Sequence, residues 1–188
     1  MKTREDLKVY LLADQKARFG DVSGKRLFLA KLKAGSMWSY NVILRKLEFN
    51  KECGNYLRTI YYKISLRGLS VKTGWDVSEG VFGPELCIVH RGTVVVNPNA
   101  HVGNNCRIHI DVNIGADART GKAPIIGDDV YIAPGAKIFG DIRIADGVAI
   151  GANAVVNKSF LTEMISIAAV PAKKISDTGN PHIKKGDL

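Results

Sequence analysis

Branched aliphatic residues recur at every sixth position over the second half of the chain, apart from one longer interval. A small or apolar residue stands four places after each of the first nine of these ten branched residues. A six-residue period predicts a parallel β-helix, in which each repeat supplies one short strand and one turn, and three repeats complete a triangular coil. The branched residues then point into the core and stack from coil to coil. The ten predicted inward positions are Val96, Val102, Ile108, Ile114, Ile126, Ile132, Ile138, Ile144, Ile150 and Val156, followed at four places by Ala100, Cys106, Val112, Ala118, Val130, Ala136, Ile142, Val148 and Ala154.

Two insertions interrupt this repeat. The unit from Ile88 to Val95 has eight residues, and the unit from Ile114 to Ile125 has twelve. Residues inserted into a solenoid leave it as loops, which often form the binding face. His90 lies in the first insertion and is therefore the first candidate for chemistry.

The region before the repeat, up to position 75, has a helical pattern instead. Thr3 resembles a helix N-cap with acids in the following turn, and Leu7, Leu11 and Leu12 follow at helical spacing. A second helix is predicted from Arg26 to about Phe49, with Gly35 as a candidate break. Its core candidates are Leu29, Leu32, Val42, Ile43 and Leu47.

A third helix is predicted from Tyr56 to about Leu66. Its apolar stripe of Leu57, Ile60, Tyr61 and Ile64 is accompanied by basic residues. Such a stripe either packs against a neighbouring element or lies on a bilayer surface. The predicted organisation is a helical region at 1–75, a β-helix domain at 76–175 and a polar tail at 176–188.

The net charge of +9 is concentrated in the helical region. Residues 1–75 hold 16 Lys and Arg against 6 Asp and Glu, whereas residues 76–188 hold 11 against 12. This asymmetry indicates either a solvated helical surface or a partner that is anionic, such as a membrane surface or a lipid-linked substrate. No nucleic-acid-binding motif accompanies the charge, so nucleic acid is not an expected partner.

Cysteine usage and hydropathy indicate a compartment. The three cysteines are odd in number and are not spaced as metal-binding pairs. This pattern favours a reduced setting. No signal peptide is evident, and no run approaches the roughly 20 apolar residues of a membrane span. We expect a cytoplasmic protein, with peripheral association at the inner membrane face left open.

Four segments in the second half form a recognisable set. They are the histidine segment Cys87–Val95, the loop Thr120–Pro124, the coils Ile126–Ala154 and the closing segment Ala168–Lys173. Together they resemble the hexapeptide-repeat acyltransferases, specifically the serine O-acetyltransferase family and its polysaccharide-cluster branch. The resemblance implies a left-handed parallel β-helix, acetyl-CoA as the acyl donor and a homotrimer with cofactor grooves between subunits.

The resemblance also implies a catalytic pair. His90 matches the family's general base, and histidine suits this task because its pKa lies near neutrality. Asp76 is the implied partner that orients the imidazole, since it precedes His90 along the chain by close to one coil. The alternative for Asp76 is a cap at the junction between the helices and the β-helix.

Small residues mark the predicted cofactor edge. With three six-residue repeats to each coil, Ala116, Pro134 and Ala152 are predicted to stack along one edge. Such small residues would leave a channel for the narrow pantetheine arm. The family places acetyl-CoA there. Lys158, Lys173 and Lys174 are candidates for binding its phosphates, with a solvated tail as the alternative.

The chain has three other histidines. His101 and His182 are expected on the surface, His182 in the solvated tail. His109 is a candidate for substrate contact, together with Arg119 and Lys122 in the second insertion. A zinc site of His90, His101 and His109 is disfavoured, because positions 101 and 109 differ within the repeat unit and should point apart.

The acceptor is predicted from departures from the family. Serine enzymes carry an aspartate before the catalytic histidine and an Arg-His pair in the loop; here Val89, Lys122 and Ala123 occupy those places. Serine's charges would then be poorly paired. The sequence therefore favours a sugar hydroxyl of surface polysaccharide as acceptor, with serine as the alternative and a non-catalytic trimeric scaffold as a third interpretation.

Overall fold

The computed structural model describes residues 1–182 and begins with four helices. They are α1 (Arg4–Phe19), α2 (Gly24–Ala34), α3 (Ser36–Glu52) and α4 (Tyr56–Thr73). Thr3 caps α1 as predicted, because its hydroxyl accepts from the Asp6 amide while the Asp6 carboxylate accepts from the Thr3 amide. Gly35, with φ of 53°, separates α2 from α3, so the predicted second helix is two helices.

The helical core differs from the prediction. Leu47 is fully buried, but Leu29 and Leu32 are 60% and 68% exposed. Their prediction as core residues was wrong for this chain, because α2 turns Ala34 rather than its leucines toward the core. The predicted apolar stripe of α4 is also exposed, since Leu57 and Ile64 are 79% and 69% accessible.

Short strands follow and form three sheets, as the repeat predicts. In chain order they are β1 (Trp75–Val77), β2 (Cys87–Ile88), β3 (Val94–Val96), β4 (His101–Val102), β5 (Arg107–Ile108), β6 (Val112–Gly115), β7 (Ile125–Ile126), β8 (Tyr131–Ile132), β9 (Lys137–Phe139), β10 (Arg143–Ile144), β11 (Ala149–Ile150), β12 (Val155–Val156), β13 (Ser166–Ala168) and β14 (Lys173–Ser176). Sheet A has the order β1-β3-β6-β9-β12, sheet B β10-β7-β4 and sheet C β14-β13-β11-β8-β5-β2. All pairs are parallel except β13–β14.

This architecture is the predicted left-handed β-helix with a helical N-terminal region. All ten predicted inward residues are at most 5% exposed, and eight of the nine residues four places on are at most 6% exposed. Ala118 is the exception and is exposed, because it belongs to the second insertion rather than to a coil.

The chain turns at three corners, which we name by the sheets they join. Corner AB comprises residues 97–100, 116–124, 140–142 and 157–159. Corner BC comprises residues 103–106, 127–130, 145–148 and 161–165. Corner CA comprises residues 89–93, 109–111, 133–136 and 151–154. The first insertion therefore enlarges corner CA and the second enlarges corner AB.

A buried ion cluster joins the helices to the first coil. The Arg45 guanidinium is fully buried and pairs with Asp14 at 2.8 Å and with Glu48 at 3.0 Å. Arg45 also donates to the carbonyls of Phe82 and Gly83. Burial alone would lower the pKa of Arg45, but the carboxylates of Glu48 and Asp14 outweigh it and raise that pKa.

The chain after the last coil folds back on the β-helix. Strand β14 runs antiparallel to β13, across the predicted boundary at 175. Asn180 is buried, and its side-chain amide donates to the Asp129 carbonyl at 2.7 Å. The predicted polar tail is thus anchored to the β-helix at Gly179 and Asn180, while Asp177, Thr178, Pro181 and His182 are exposed. Its residues 183–188 lie outside the described part of the chain.

Candidate active site

His90 lies at corner CA of the first coil, where the first insertion widens the turn. Its side chain is exposed, while its backbone carbonyl accepts a hydrogen bond from the buried Trp75 indole at 3.2 Å. The His90 ring lies 6.0 Å from the His109 ring, measured between centroids. An anchored backbone with an accessible imidazole is suited to proton transfer with a bound substrate.

Asp76 lies on the outer face of sheet A. It is in β1, pairs in register with Val95 and is exposed. Among residues 1–182 it makes no hydrogen bond with His90. Its proposed role as the orienting carboxylate therefore stays a prediction.

The outer face of sheet C carries aromatic and cationic side chains beside His90. The His109 ring lies 5.3 Å from the Tyr131 ring, and Tyr131 lies 5.3 Å from His182. His182 is exposed, as expected, and the returning chain places its ring beside Tyr131. Burial lowers the pKa of the His109 imidazole, and the positive charges of Arg107, His90 and His182 lower it further.

Two residues of this face were missed by the sequence reasoning. Arg107 and Tyr131 pair in register on neighbouring strands. They are farther apart along the chain than one regular coil, because the six extra residues of the second insertion lie between them. Only the register corrected for the insertion places Arg107 next to Tyr131, whose ring contacts the His109 ring. The spacing of the repeat, with the insertion subtracted, was the signal that could have found them.

The second insertion forms a compact loop at corner AB. The Asp117 carboxylate accepts from the amides of Arg119 and Thr120 and thereby closes the turn. Lys122 pairs with Asp141 at 2.7 Å, and Ala123 is buried. Within one chain, this loop and His90 lie at opposite edges of sheet A.

The predicted cofactor edge is only partly continuous. Pro134 and Ala152 share corner CA with His90, and the Asn153 amide donates to the Pro134 carbonyl. Ala116 instead lies at corner AB, in line with Gly140, so its predicted stacking on Pro134 was wrong. The error arose from counting a regular three-repeat coil where the coil also contains the second insertion.

The predicted phosphate-binding lysines are exposed, but Lys158 lies apart from Lys173 and Lys174. Lys158 lies at corner AB over the Phe160 ring, whereas Lys173 and Lys174 lie in β14. Lys174 pairs with Asp177. Within residues 1–182, no three His, Cys, Asp or Glu side chains are grouped so as to hold a metal ion. No helix in this range is long and apolar enough to cross a membrane.

Comparison with known sequences agrees with this architecture. Residues 123–158 match the family model for bacterial transferase hexapeptide (six repeats). The serine acetyltransferase of Mycobacterium tuberculosis is 35% identical over 111 residues, which cover 57% of this chain but only 48% of that protein. The serine acetyltransferase of Staphylococcus epidermidis is 29% identical over 181 residues, which cover 95% of this chain and 79% of that protein.

Solved structures give the same result. A Neisseria gonorrhoeae serine acetyltransferase in complex with serine superposes with a TM-score of 0.74 at 25% identity, covering 92% of this chain and 70% of that chain. A Brucella abortus serine acetyltransferase in complex with coenzyme A superposes with a TM-score of 0.73 at 24% identity, covering 94% and 70%.

The repeat, the three-sheet coil and the family model matched by residues 123–158 together define the class that this chain resembles, the bacterial hexapeptide-repeat transferases. Within that class, it is similar over nearly its whole length to serine acetyltransferases. These likenesses support the resemblance to the serine family and give no support to its polysaccharide branch.

Proposed function

We propose that this protein is an O-acetyltransferase that moves an acetyl group from acetyl-CoA to a hydroxyl, with His90 as the general base. The observation that carries the proposal is the position of His90. It is the accessible imidazole of corner CA, the same corner that carries the small-residue edge of Pro134 and Ala152. The likeness to serine acetyltransferases supports it.

The proposed chemistry needs one proton carrier. The His90 imidazole takes the proton of the acceptor hydroxyl as its oxygen attacks the thioester carbonyl. The new ester bond forms, the bond from carbon to sulfur breaks, and the proton held on His90 goes to the departing thiolate of CoA. Histidine can accept and release this proton near neutral pH.

Corner CA offers a place for the donor. Pro134 and Ala152 leave room for the pantetheine arm. The exposed Lys173, and Lys158 at corner AB of the neighbouring subunit, are candidates for its phosphates. The Brucella abortus relative is described in complex with coenzyme A, which supports the same ligand here.

Completing the site requires a second copy of the chain. His90 and the loop containing Arg119 lie at opposite edges of sheet A, so one chain does not bring them together. In a homotrimer, corner CA of one subunit can face corner AB of the next. We therefore propose a trimer with three shared sites.

L-serine is the acceptor that the comparisons support better than a sugar. The Neisseria gonorrhoeae relative is described in complex with serine. The departures at Val89, Lys122 and Ala123 argue against serine only if the loop must hold its carboxylate. The cations on the outer face of sheet C offer the carboxylate a different site.

An acceptor panel tests the proposal. Acetyl-CoA labelled with ¹³C in the acetyl group is incubated with the protein and L-serine, free sugars or lipid-linked glycans, and the products are identified by NMR. We expect labelled O-acetylserine. Labelled sugar esters without O-acetylserine would restore the saccharide as acceptor, and no labelled ester with any acceptor would favour a non-catalytic scaffold.

A further inference from the structure

Positive charge gathers on the outer face of sheet C beside His90. Arg107 lies in β5 and approaches the Cys87 thiol, and Arg18 reaches the same strand edge from α1. His109 lies two residues beyond Arg107 on the same side of β5. We name Arg18, Arg107 and His109 the sheet C cation cluster; the His182 ring borders it through Tyr131.

The cluster has no counter-ion in the part of the chain that the structure describes. Within that part, no carboxylate pairs with the Arg18 or Arg107 nitrogens. Arg18 donates to the Ile88 carbonyl at 2.7 Å, and Arg107 makes only a long contact of 3.7 Å with Cys87 Sγ. Burial and the nearby positive charge of Arg107 both lower the pKa of Arg18, although Cys87 opposes this.

Arg45 is a buried arginine whose hydrogen bonds are all made within the chain, and it serves as a comparison. Two carboxylates and two backbone carbonyls surround it, and every one of its side-chain nitrogens has a partner. At the sheet C cation cluster, by contrast, Arg107 Nε and His109 Nε2 are buried and have no hydrogen-bond partner. Buried polar atoms without partners cost free energy, and the positive charge here has no carboxylate to balance it. Both side chains are only partly buried, so an anion from solvent can reach their remaining nitrogens.

We infer that the acceptor carries an oxyanion, a carboxylate or a phosphate, and that Arg107 and His109 bind it while His90 acts on the hydroxyl. The inference rests on the proposed function and extends it to the substrate class. A guanidinium binds such groups through paired hydrogen bonds, and a neutral imidazole can add one more donor.

This site replaces the one that the second insertion does not provide. Lys122 is engaged by Asp141, and the buried Ala123 offers no donor. Within one chain, the cation for a serine carboxylate is thus supplied by a strand of the β-helix, because the loop with Arg119 lies at the opposite edge of sheet A from His90. A sugar acid or sugar phosphate would use the same cluster, so the acceptors compared below separate these sources.

The first experiment measures anion binding without catalysis. Imidazole resonances are followed by NMR while sodium sulfate is added to the wild-type protein, to Arg107→Gln and to the control Arg143→Gln, an exposed arginine of β10 on sheet B. We expect the His109 imidazole resonances to shift saturably with sulfate in the wild type and the control. In Arg107→Gln, the apparent affinity for sulfate should be at least tenfold lower. Equal sulfate responses in all three proteins would overturn the inference. Sodium chloride at matched ionic strength separates binding from screening.

The second experiment measures acceptor choice. The ratio of kcat/KM for L-serine to that for serinamide, and for glucuronate to that for glucose, is compared in the same three proteins. Losing a hydrogen-bonded charged partner should lower kcat/KM for the anionic acceptor about 10- to 100-fold in Arg107→Gln. The neutral acceptor and the KM for acetyl-CoA should change less than about threefold, and Arg107→Lys should recover part of the loss.

The outcomes separate the two proposals. Equal losses for anionic and neutral acceptors in Arg107→Gln would overturn the oxyanion site while leaving acetyl transfer intact. Absence of acetyl transfer in the wild type would overturn the proposed function, and the sulfate titration would then decide the oxyanion site by itself. If Arg107→Gln fails to fold, Arg107→Lys carries both measurements, with a smaller expected loss, and His109→Asn carries the comparison of acceptors.

Discussion

At the scale of single residues, the environment of His109 gives a test that does not require a substrate. Burial and the positive charges around it place its folded-state pKa below the usual value. The unfolded chain, with a His pKa of about 6.5, therefore binds more protons as the pH falls through that value. His109 therefore contributes to the free energy of unfolding above the unfolded-state pKa, and this contribution is lost as the pH falls toward the lower folded-state pKa.

We predict that His109→Gln weakens this pH dependence. The free energy of unfolding, measured by urea denaturation between pH 7.5 and 5, should fall less steeply in His109→Gln than in the wild type. A parallel decline in both proteins would contradict the assignment of a lowered pKa to His109.

Individual positions also show what the sequence could reveal about the site. His90 and the inward residues Ile108 and Ile132 follow from the repeat and its first insertion. Arg107 and Tyr131 were missed, and Ala116 was misplaced, because all three depend on the enlarged coil that contains the second insertion. A loop of six residues shifts the register of everything counted across it.

At the scale of elements, the turns of the β-helix depend on close approach of successive coils. A Cβ on Gly127 would come within 2.9 Å of the Asp146 amide nitrogen and closer still to its carboxylate. Gly68 in α4 has open space around it and a helical conformation. Substitution by alanine should therefore change the free energy of unfolding in opposite directions at these two glycines.

We predict that Gly127→Ala destabilises the protein by about 1–3 kcal/mol through overpacking. Gly68→Ala should stabilise it by about 0.5–1 kcal/mol, because alanine is the better helix former. Chemical denaturation of both variants measures these changes. Destabilisation of similar size in both would show that the spacing of the coils is not what limits position 127.

The junction between helices and coils gives a second prediction at this scale. Arg45→Met would leave Asp14 buried without its partner, which typically costs about 3–5 kcal/mol. Lys122→Met breaks an exposed ion pair and should change stability by about 1 kcal/mol or less. Thermal unfolding of the two variants compares them, and equal losses would contradict the structural role of the buried cluster.

The helical elements were harder to predict than the coils. The six-residue pattern is enforced by stacking, so each inward position has one environment. In α2 and α4, by contrast, the apolar pattern predicts a covered face, yet Phe28 and Leu57 are 68% and 79% exposed in the single chain. Periodicity identifies an apolar face but not the element that covers it.

At the scale of the whole molecule, the proposed site is shared between subunits. Three chains of 20.5 kDa give an assembly of about 62 kDa. Light scattering coupled to gel filtration should report that mass for the wild type. A stable monomer with full activity would contradict a site completed by a neighbouring subunit.

The role of His90 as the base for acetyl transfer to a hydroxyl is tested by the turnover of His90→Ala. Release of free CoA is followed with the best acceptor of the panel, and CoA affinity is measured by calorimetry. His101→Ala, at an exposed position of β4, is the matched control. We predict that kcat falls about 10²- to 10⁴-fold in His90→Ala with CoA affinity unchanged, while His101→Ala keeps the wild-type rate. Turnover of His90→Ala within about threefold of the wild type would show that another group is the base.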